Sequence, residues 1–80
     1  MKNATIQGRL FDLLEVLDAR RVVNIFELEE IKDDKIKSSS IKYAYVYEIL
    51  GDMDFIKTYK NFEIVGIDLG FTTNILIKEA

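Results

Sequence analysis

The 80-residue sequence contains no cysteine, no histidine, no proline and no tryptophan. Without thiol and imidazole side chains, it cannot form a cysteine nucleophile, a histidine-based triad or a typical structural zinc site. The lack of cysteine also removes the disulfides on which small secreted domains depend, so we expect a cytoplasmic protein. No apolar run approaches the roughly 18 residues of a membrane span, and we therefore expect no membrane partner.

The sequence also has little that indicates catalysis. Its carboxylate pairs, Asp33 with Asp34 and Asp52 with Asp54, lack the ligand series and glycine of a calcium-binding loop. Turn formation explains these four residues better. No constellation supplies both a nucleophile and a base, so we expect no enzymatic activity, no metal site and no cofactor.

The residues that are present describe a folded protein. Hydrophobic residues make up 49% of the chain and charged residues 31%, which is ordinary for a globular domain. Eighty residues are enough for one small core, so we predict a single domain over residues 1 to 80. The net charge of -3 argues against a protein that is basic throughout.

Hydrophobic spacing predicts helices in the first half of the chain. Apolar residues recur every three or four positions over residues 5 to 17, with Thr5 as a candidate N-cap. A short strand is predicted at residues 21 to 24, and a second helix at residues 25 to 31. Residues 32 to 37 break the periodicity and are predicted to form a charged turn.

The next segment, residues 41 to 50, fits two structures. Apolar residues and tyrosine occupy alternate positions, as in a strand. Viewed as a helix, the segment places Tyr43, Val46 and Tyr47 on one face. Because three serines precede it as candidate caps and its length suits a helix, we predict a helix.

The last third of the sequence predicts a β-hairpin. Residues 62 to 69 and 75 to 78 have strand patterns, and residues 70 to 74 form the connecting loop. The apolar residues of the first strand are expected to meet Ile75 or Ile77 across the hairpin.

This order of elements resembles the winged helix-turn-helix family. The stretch from Ser38 to Ile56 is similar to a serine-opened recognition helix that runs into the wing at Phe55 and Ile56. The resemblance implies an α+β fold of three helices, a short strand and a C-terminal wing. Two features depart from the family pattern: Asp54 stands where glycine is frequent, and residues 70 to 74 contain no Lys or Arg.

The resemblance implies that the third helix binds duplex DNA in the major groove, either at specific sequences or generally, as in a transcriptional regulator. Residues 32 to 60 carry six cations and five anions, whereas the flanking segments are acidic. The same lysines would equally suit an ordinary solvated surface. The candidate DNA-binding residues are Lys35, Lys37, Ser38, Ser39, Ser40, Lys42, Tyr45, Lys57 and Lys60.

The alternative hypothesis is a protein-interaction module in a transcription or replication assembly. It rests on a second apolar stripe of the predicted third helix, formed by Ile41, Tyr45 and Ile49, with Phe11 as a further contact. Ile41 and Ile49 would also fit beneath the neighbouring elements, leaving only Tyr45 exposed. Since this apolar surface exceeds what one small monomer buries easily, we expect a homodimer.

Overall fold

A computed structural model describes residues 9 to 79 of the chain. This part contains four strands and three short helices in the order α1 (Leu10–Val16), β1 (Val22–Lys32), β2 (Lys35–Tyr45), α2 (Val46–Leu50), α3 (Met53–Tyr59), β3 (Glu63–Asp68) and β4 (Thr72–Lys78). The strands form one mixed sheet in the order β2, β1, β4, β3. The two central strands, β1 and β4, are parallel, and each pairs with its hairpin partner in the antiparallel direction.

The first hairpin joins β1 and β2 through a two-residue turn. Asp33 and Asp34 occupy this turn with φ angles of 51° and 65°. Positive φ at both central residues is the geometry that matches the twist of paired strands. The charged turn predicted over residues 32 to 37 is therefore confirmed only at residues 33 and 34, since Lys32 ends β1 and residues 35 to 37 belong to β2. It closes a β-hairpin instead of separating two helices.

This hairpin extends beyond the rest of the sheet. β1 pairs with β4 only from Val22 to Glu27, whereas its pairing with β2 continues to Lys32. Residues 28 to 38 therefore project as a two-stranded ribbon, which we call the arm. Side chains from residues 29 to 40 are exposed to solvent.

The helices lie on one face of the sheet, which we call the helix side. The Nζ atom of Lys42 on β2 lies 2.8 Å from Oδ2 of Asp52, the N-cap of α3. The hydroxyl of Tyr59 near the end of α3 donates to Oε1 of Glu27 on β1, at 3.5 Å. These contacts fix α3 across the two strands of the first hairpin.

The core lies between the helices and the helix side of the sheet. Its buried hydrophobic residues are Leu10, Leu14, Val23, Ile25, Val46, Ile49, Phe55, Phe62, Ile75 and Ile77. Thr73 is the buried polar residue of the described part, and its Oγ1 accepts a hydrogen bond from Nη1 of Arg21 at 3.0 Å. Buried polar groups are normally paired in this way.

The winged-helix prediction is wrong. The predicted second helix is part of β1, and the predicted third helix is divided between β2 and the five-residue α2. The first of these segments is a strand because β1 obtains backbone partners on each side, from β2 and β4. Phe55 and Ile56, expected to begin the wing, belong to α3.

Two predicted elements are confirmed. The first helix is present over Leu10–Val16, although its proposed cap, Thr5, lies outside the described residues. The C-terminal hairpin forms from β3 and β4, with Ile67 opposite Ile75. Its predicted loop over residues 70 to 74 is too long, since residues 72 to 74 belong to β4. Among residues 9 to 79, no helix has the length and apolar character needed to cross a membrane.

Candidate protein-interaction surface

The residues predicted to bind DNA are spread over the molecule. Lys35 and Lys37 lie on the arm, whereas Lys57 and Lys60 belong to α3 and its C-terminal end. Lys42 lies on the helix side, where it is paired with an aspartate and lies 5.6 Å from the centre of the Phe55 ring.

The three serines do not cap a helix. Ser39 faces the helix side, opposite Glu27, and its hydroxyl donates to Glu29 at 2.8 Å. Ser38 and Ser40 face the other way, and the Ser40 hydroxyl donates to Oδ1 of Asn24 at 2.6 Å. The predicted recognition surface is thus divided between the two faces of a strand. The helix that was expected to bind DNA does not form, and DNA binding itself stays a prediction.

The residues of the alternative interface are also separated. Ile49 is fully buried, and Ile41 is half-buried against the core. Phe11 packs edge-on against Phe55, with ring centroids 6.1 Å apart. Only Tyr45 remains on the surface, with 44% of its area exposed.

A different surface gathers the uncharged residues of the strands: the face of the sheet opposite the helices, which we call the outer face. Residues paired across strands share a face, so the strand register assigns residues to it. β1 contributes Val22, Asn24, Phe26, Leu28 and Ile31, and β2 contributes Tyr45, Tyr43, Ser40, Ser38 and Ile36. β4 contributes Thr72, Asn74, Leu76 and Lys78, and β3 contributes Glu63, Gly66 and Asp68.

Two β-bulges create this arrangement. Leu28 pairs with Ser38 and Glu30 pairs with Lys37, so Glu29 is the extra residue of β1. Without this bulge, strict alternation would turn Ile31 to the helix side. A second irregularity leaves Ile41 as the extra residue of β2 and keeps the later tyrosines on the outer face.

None of the outer-face residues contributed by β1 and β2 is charged. The charged residues of these strands alternate onto the helix side, namely Glu27, Glu29, Glu30, Lys32, Lys35, Lys37 and Lys42. Charge on the outer face is confined to β3 and the end of β4. For a chain in which 31% of residues are charged, this is a strong segregation.

The separation of charged from uncharged residues is clearest on the arm. Its outer face carries the cross-strand pair Ile31 and Ile36, which are 65% and 62% exposed. Its opposite face carries only charged residues. No residue of the arm belongs to the hydrophobic core of the described part, and its side chains are exposed from residue 29 onward.

Nearer the centre of the sheet, the outer face has a shallow depression. Phe26, Leu76 and Gly66 line it, together with Ser38, Ile67, Asp68 and Asn74. Gly66 leaves this space open, since a Cβ atom placed there would meet no atom within 4 Å. The glycine therefore does not serve close packing within the chain.

Further exposed aromatic residues lie at the end of the sheet where β1 begins. Tyr45 stacks on Tyr47 with ring centroids 5.6 Å apart. Tyr43 is 66% exposed on the same strand as Tyr45, and Phe71, in the loop before β4, is fully exposed. Tyrosine and phenylalanine are enriched at protein interfaces.

Both resolved pKa shifts occur on the helix side. The Lys42 ammonium, with the backbone N–H of Phe55, holds the pKa of the Asp52 carboxyl below its usual value. Burial and the nearby Glu27 carboxylate raise the pKa of the Tyr59 hydroxyl. These groups connect helix to sheet, so their interactions are structural.

Comparison of the chain with protein-family models, curated protein sequences and solved structures finds no match in any of the three. The geometry of the chain itself therefore carries the functional proposal. The sequence pattern did not reveal the outer face, because each bulge adds one residue to a strand. Beyond the bulge, the residues that point to the outer face switch between odd and even positions. The available signal was the strand-like alternation of residues 41 to 50, together with the short charged turn before the serines.

Proposed function

We propose that this protein is a protein-interaction module that docks through the outer face of its sheet. The observation that carries the proposal is the absence of charge from the outer face of β1 and β2, continued along the arm by Ile31 and Ile36. Interface centres are depleted of charged residues and enriched in aromatic ones. An exposed surface of this composition favours burial against another protein.

The distribution of cations favours a protein partner over nucleic acid. Phosphate recognition requires lysine or arginine at the contact surface. Lys78 is the one cation that the described strands place on the outer face, and Glu63 lies directly opposite it on β3. A cytoplasmic location remains part of the proposal, on the ground that a chain without cysteine is suited to a reducing compartment.

The proposal is tested by photo-crosslinking in cells. A photoreactive amino acid replaces Tyr43 on the outer face in one variant and Lys57 on the exposed side of α3 in another. We expect a discrete adduct from position 43 that nuclease leaves intact, and a much weaker one from position 57.

A third variant supplies the specificity control. Ile36→Glu, combined with the photoreactive group at position 43, places an unpaired carboxylate on the outer face at the arm. We expect it to abolish the adduct. Equal adducts from positions 43 and 57, or an adduct that nuclease destroys, would contradict the proposal.

A further inference from the structure

We infer that the partner on the outer face is a second copy of this chain, packed sheet against sheet about a two-fold axis. This inference rests on the proposed function and specifies its partner. In a two-fold interface, the same patch of each copy contacts its equivalent. The patch must therefore be complementary to itself in charge, in hydrogen bonding and in size.

The charge of the outer face satisfies this requirement. A charged patch would meet its own sign across a two-fold axis, and β1 and β2 contribute no charge that could do so. On the other side of the face, Lys78 and Glu63 are direct cross-strand partners. Asp68, at the β3 edge, is the remaining charge that the described strands place on this face.

The polar groups of the outer face are also self-complementary. Asparagine, serine, threonine and tyrosine side chains each donate and accept hydrogen bonds, so each can pair with its own kind. The uncharged polar residues of the face all belong to these four types: Asn24, Ser38, Ser40, Tyr43, Thr72 and Asn74, together with Tyr45. Lysine only donates and ionised aspartate only accepts, and charged residues of the outer face are confined to β3 and the end of β4.

The area of the outer face is sufficient for a dimer. Strands lie about 4.8 Å apart and rise about 3.3 Å per residue, which gives this face a planar footprint on the order of 500 Å². Two copies would together bury on the order of 1,000 Å² of surface, without the additional area of side chains that protrude from the plane. This total reaches the lower size limit of specific interfaces. The arm is necessary for this total, because it supplies about two fifths of the length of β1 and β2. Stacked sheets of this kind pack about 10 Å apart with their inner side chains interdigitated.

Sedimentation of the purified full chain over a range of concentrations tests the inference. We expect a reversible species of twice the 9.3 kDa chain mass. Ile36→Glu and Gly66→Glu should each weaken it by about a hundredfold or more, because an unpaired carboxylate would be buried in the interface. Both substitutions are compatible with folding: Ile36 lies on the arm outside the core, and Gly66 has open space above it.

Met53→Glu is the matched control, because Met53 is 66% exposed but lies on α3, on the helix side. It should leave the dimer unchanged, and circular dichroism should show all three variants folded. A monomer at every concentration up to about 1 mM, or a dimer that both outer-face variants leave intact, would overturn the inference.

The experiments can contradict the proposed dimer without contradicting the proposed function. If the position 43 adduct is a protein of a different mass and the purified chain is monomeric, the outer face still docks a protein but not a second copy. If position 43 gives no adduct that depends on Ile36, the proposed function itself fails. An adduct at the mass of a single chain, formed with residues of the same molecule, contradicts both.

Discussion

The two faces of the single sheet differ in what covers them. On the helix side, residues such as Ile25 and Ile75 are fully buried, and Lys42 is tied to the cap of α3. On the outer face, Phe26 and Leu76 are only half-buried, although they are no less apolar. Side chains at alternate positions of one strand are therefore buried, or left exposed, on two different faces. Folding covers the first face, and we propose that association covers the second.

The arm repeats this contrast outside the core. A ribbon that served only as a solvated loop would carry charge on both faces, as edge strands commonly do. Here the lysines and glutamates occupy one face, and Ile31 and Ile36 occupy the other. Folding of the single chain leaves these isoleucines largely exposed, so it gains little from burying them beyond their contact across the two strands.

The largest expected effect comes from truncating adjacent residues on opposite faces of β4. Ile75→Ala should lower the free energy of unfolding by about 2–5 kcal/mol, because the side chain is fully buried. Leu76→Ala should cost about 1 kcal/mol or less in dilute protein. Urea denaturation measures both values. If Ile75→Ala does not fold, Ile75→Val, with an expected loss of about 0.5–1.5 kcal/mol, replaces it. Equal losses at the two positions would show that folding relies on both faces alike.

A smaller effect of opposite sign is expected at Gly66. Its φ is not positive, and a Cβ atom added to it would have no neighbour within 4 Å. Gly66→Ala should therefore raise the free energy of unfolding by about 0.4–1 kcal/mol, because the substitution reduces the freedom of the unfolded chain. Thermal and urea unfolding of the monomer measure this gain. A loss of stability would mean that the depression is filled in the single chain.

The smallest effect concerns the pH dependence of the helix side. Because the pKa of Asp52 is lowered from 3.8, its contribution to stability is present above that value and is lost as pH falls below it. Asp52→Asn keeps an N-cap side chain but removes the charge. The variant should therefore lose less stability than the native chain in urea titrations between about pH 5 and pH 2. An identical decline in both proteins would show that other carboxyls dominate.

The sequence was sufficient to predict the elements in which periodicity is regular. The helix at Leu10–Val16 has apolar residues at three- and four-residue spacing, and β4 of the C-terminal hairpin alternates between half-buried and buried positions. Both are local patterns, and hydrophobic periodicity identifies them directly.

The first hairpin could not be predicted in this way because its bulges imitate a helix. With Glu29 as an extra residue, Leu28 and Ile31 lie on one face although they are three positions apart, as on a helix. Ser40 and Tyr43 are separated in the same manner around Ile41. The parallel pairing of β1 with β4, which joins segments about 50 residues apart, leaves no local signal at all.

The same bulges concealed the candidate site. The lysines of β2 lie on the helix side, whereas Ser38 and Ser40 lie on the outer face, so the lysines and serines that are neighbours in the sequence do not form one surface. The outer face, conversely, draws residues from four strands. The lack of charge on its β1 and β2 half is recognisable only when the register of the strands is known.

The most direct test of the docking claim is hydroxyl-radical footprinting of Tyr43 and Met53, in cells and on dilute purified protein. Both side chains are 66% exposed, but Tyr43 lies on the outer face and Met53 lies on α3, on the helix side. We predict that oxidation of Tyr43 falls several-fold in cells relative to Met53, and that Ile36→Glu restores it. Equal oxidation of Tyr43 in cells and in dilute solution would contradict the claim that this face is covered by a partner.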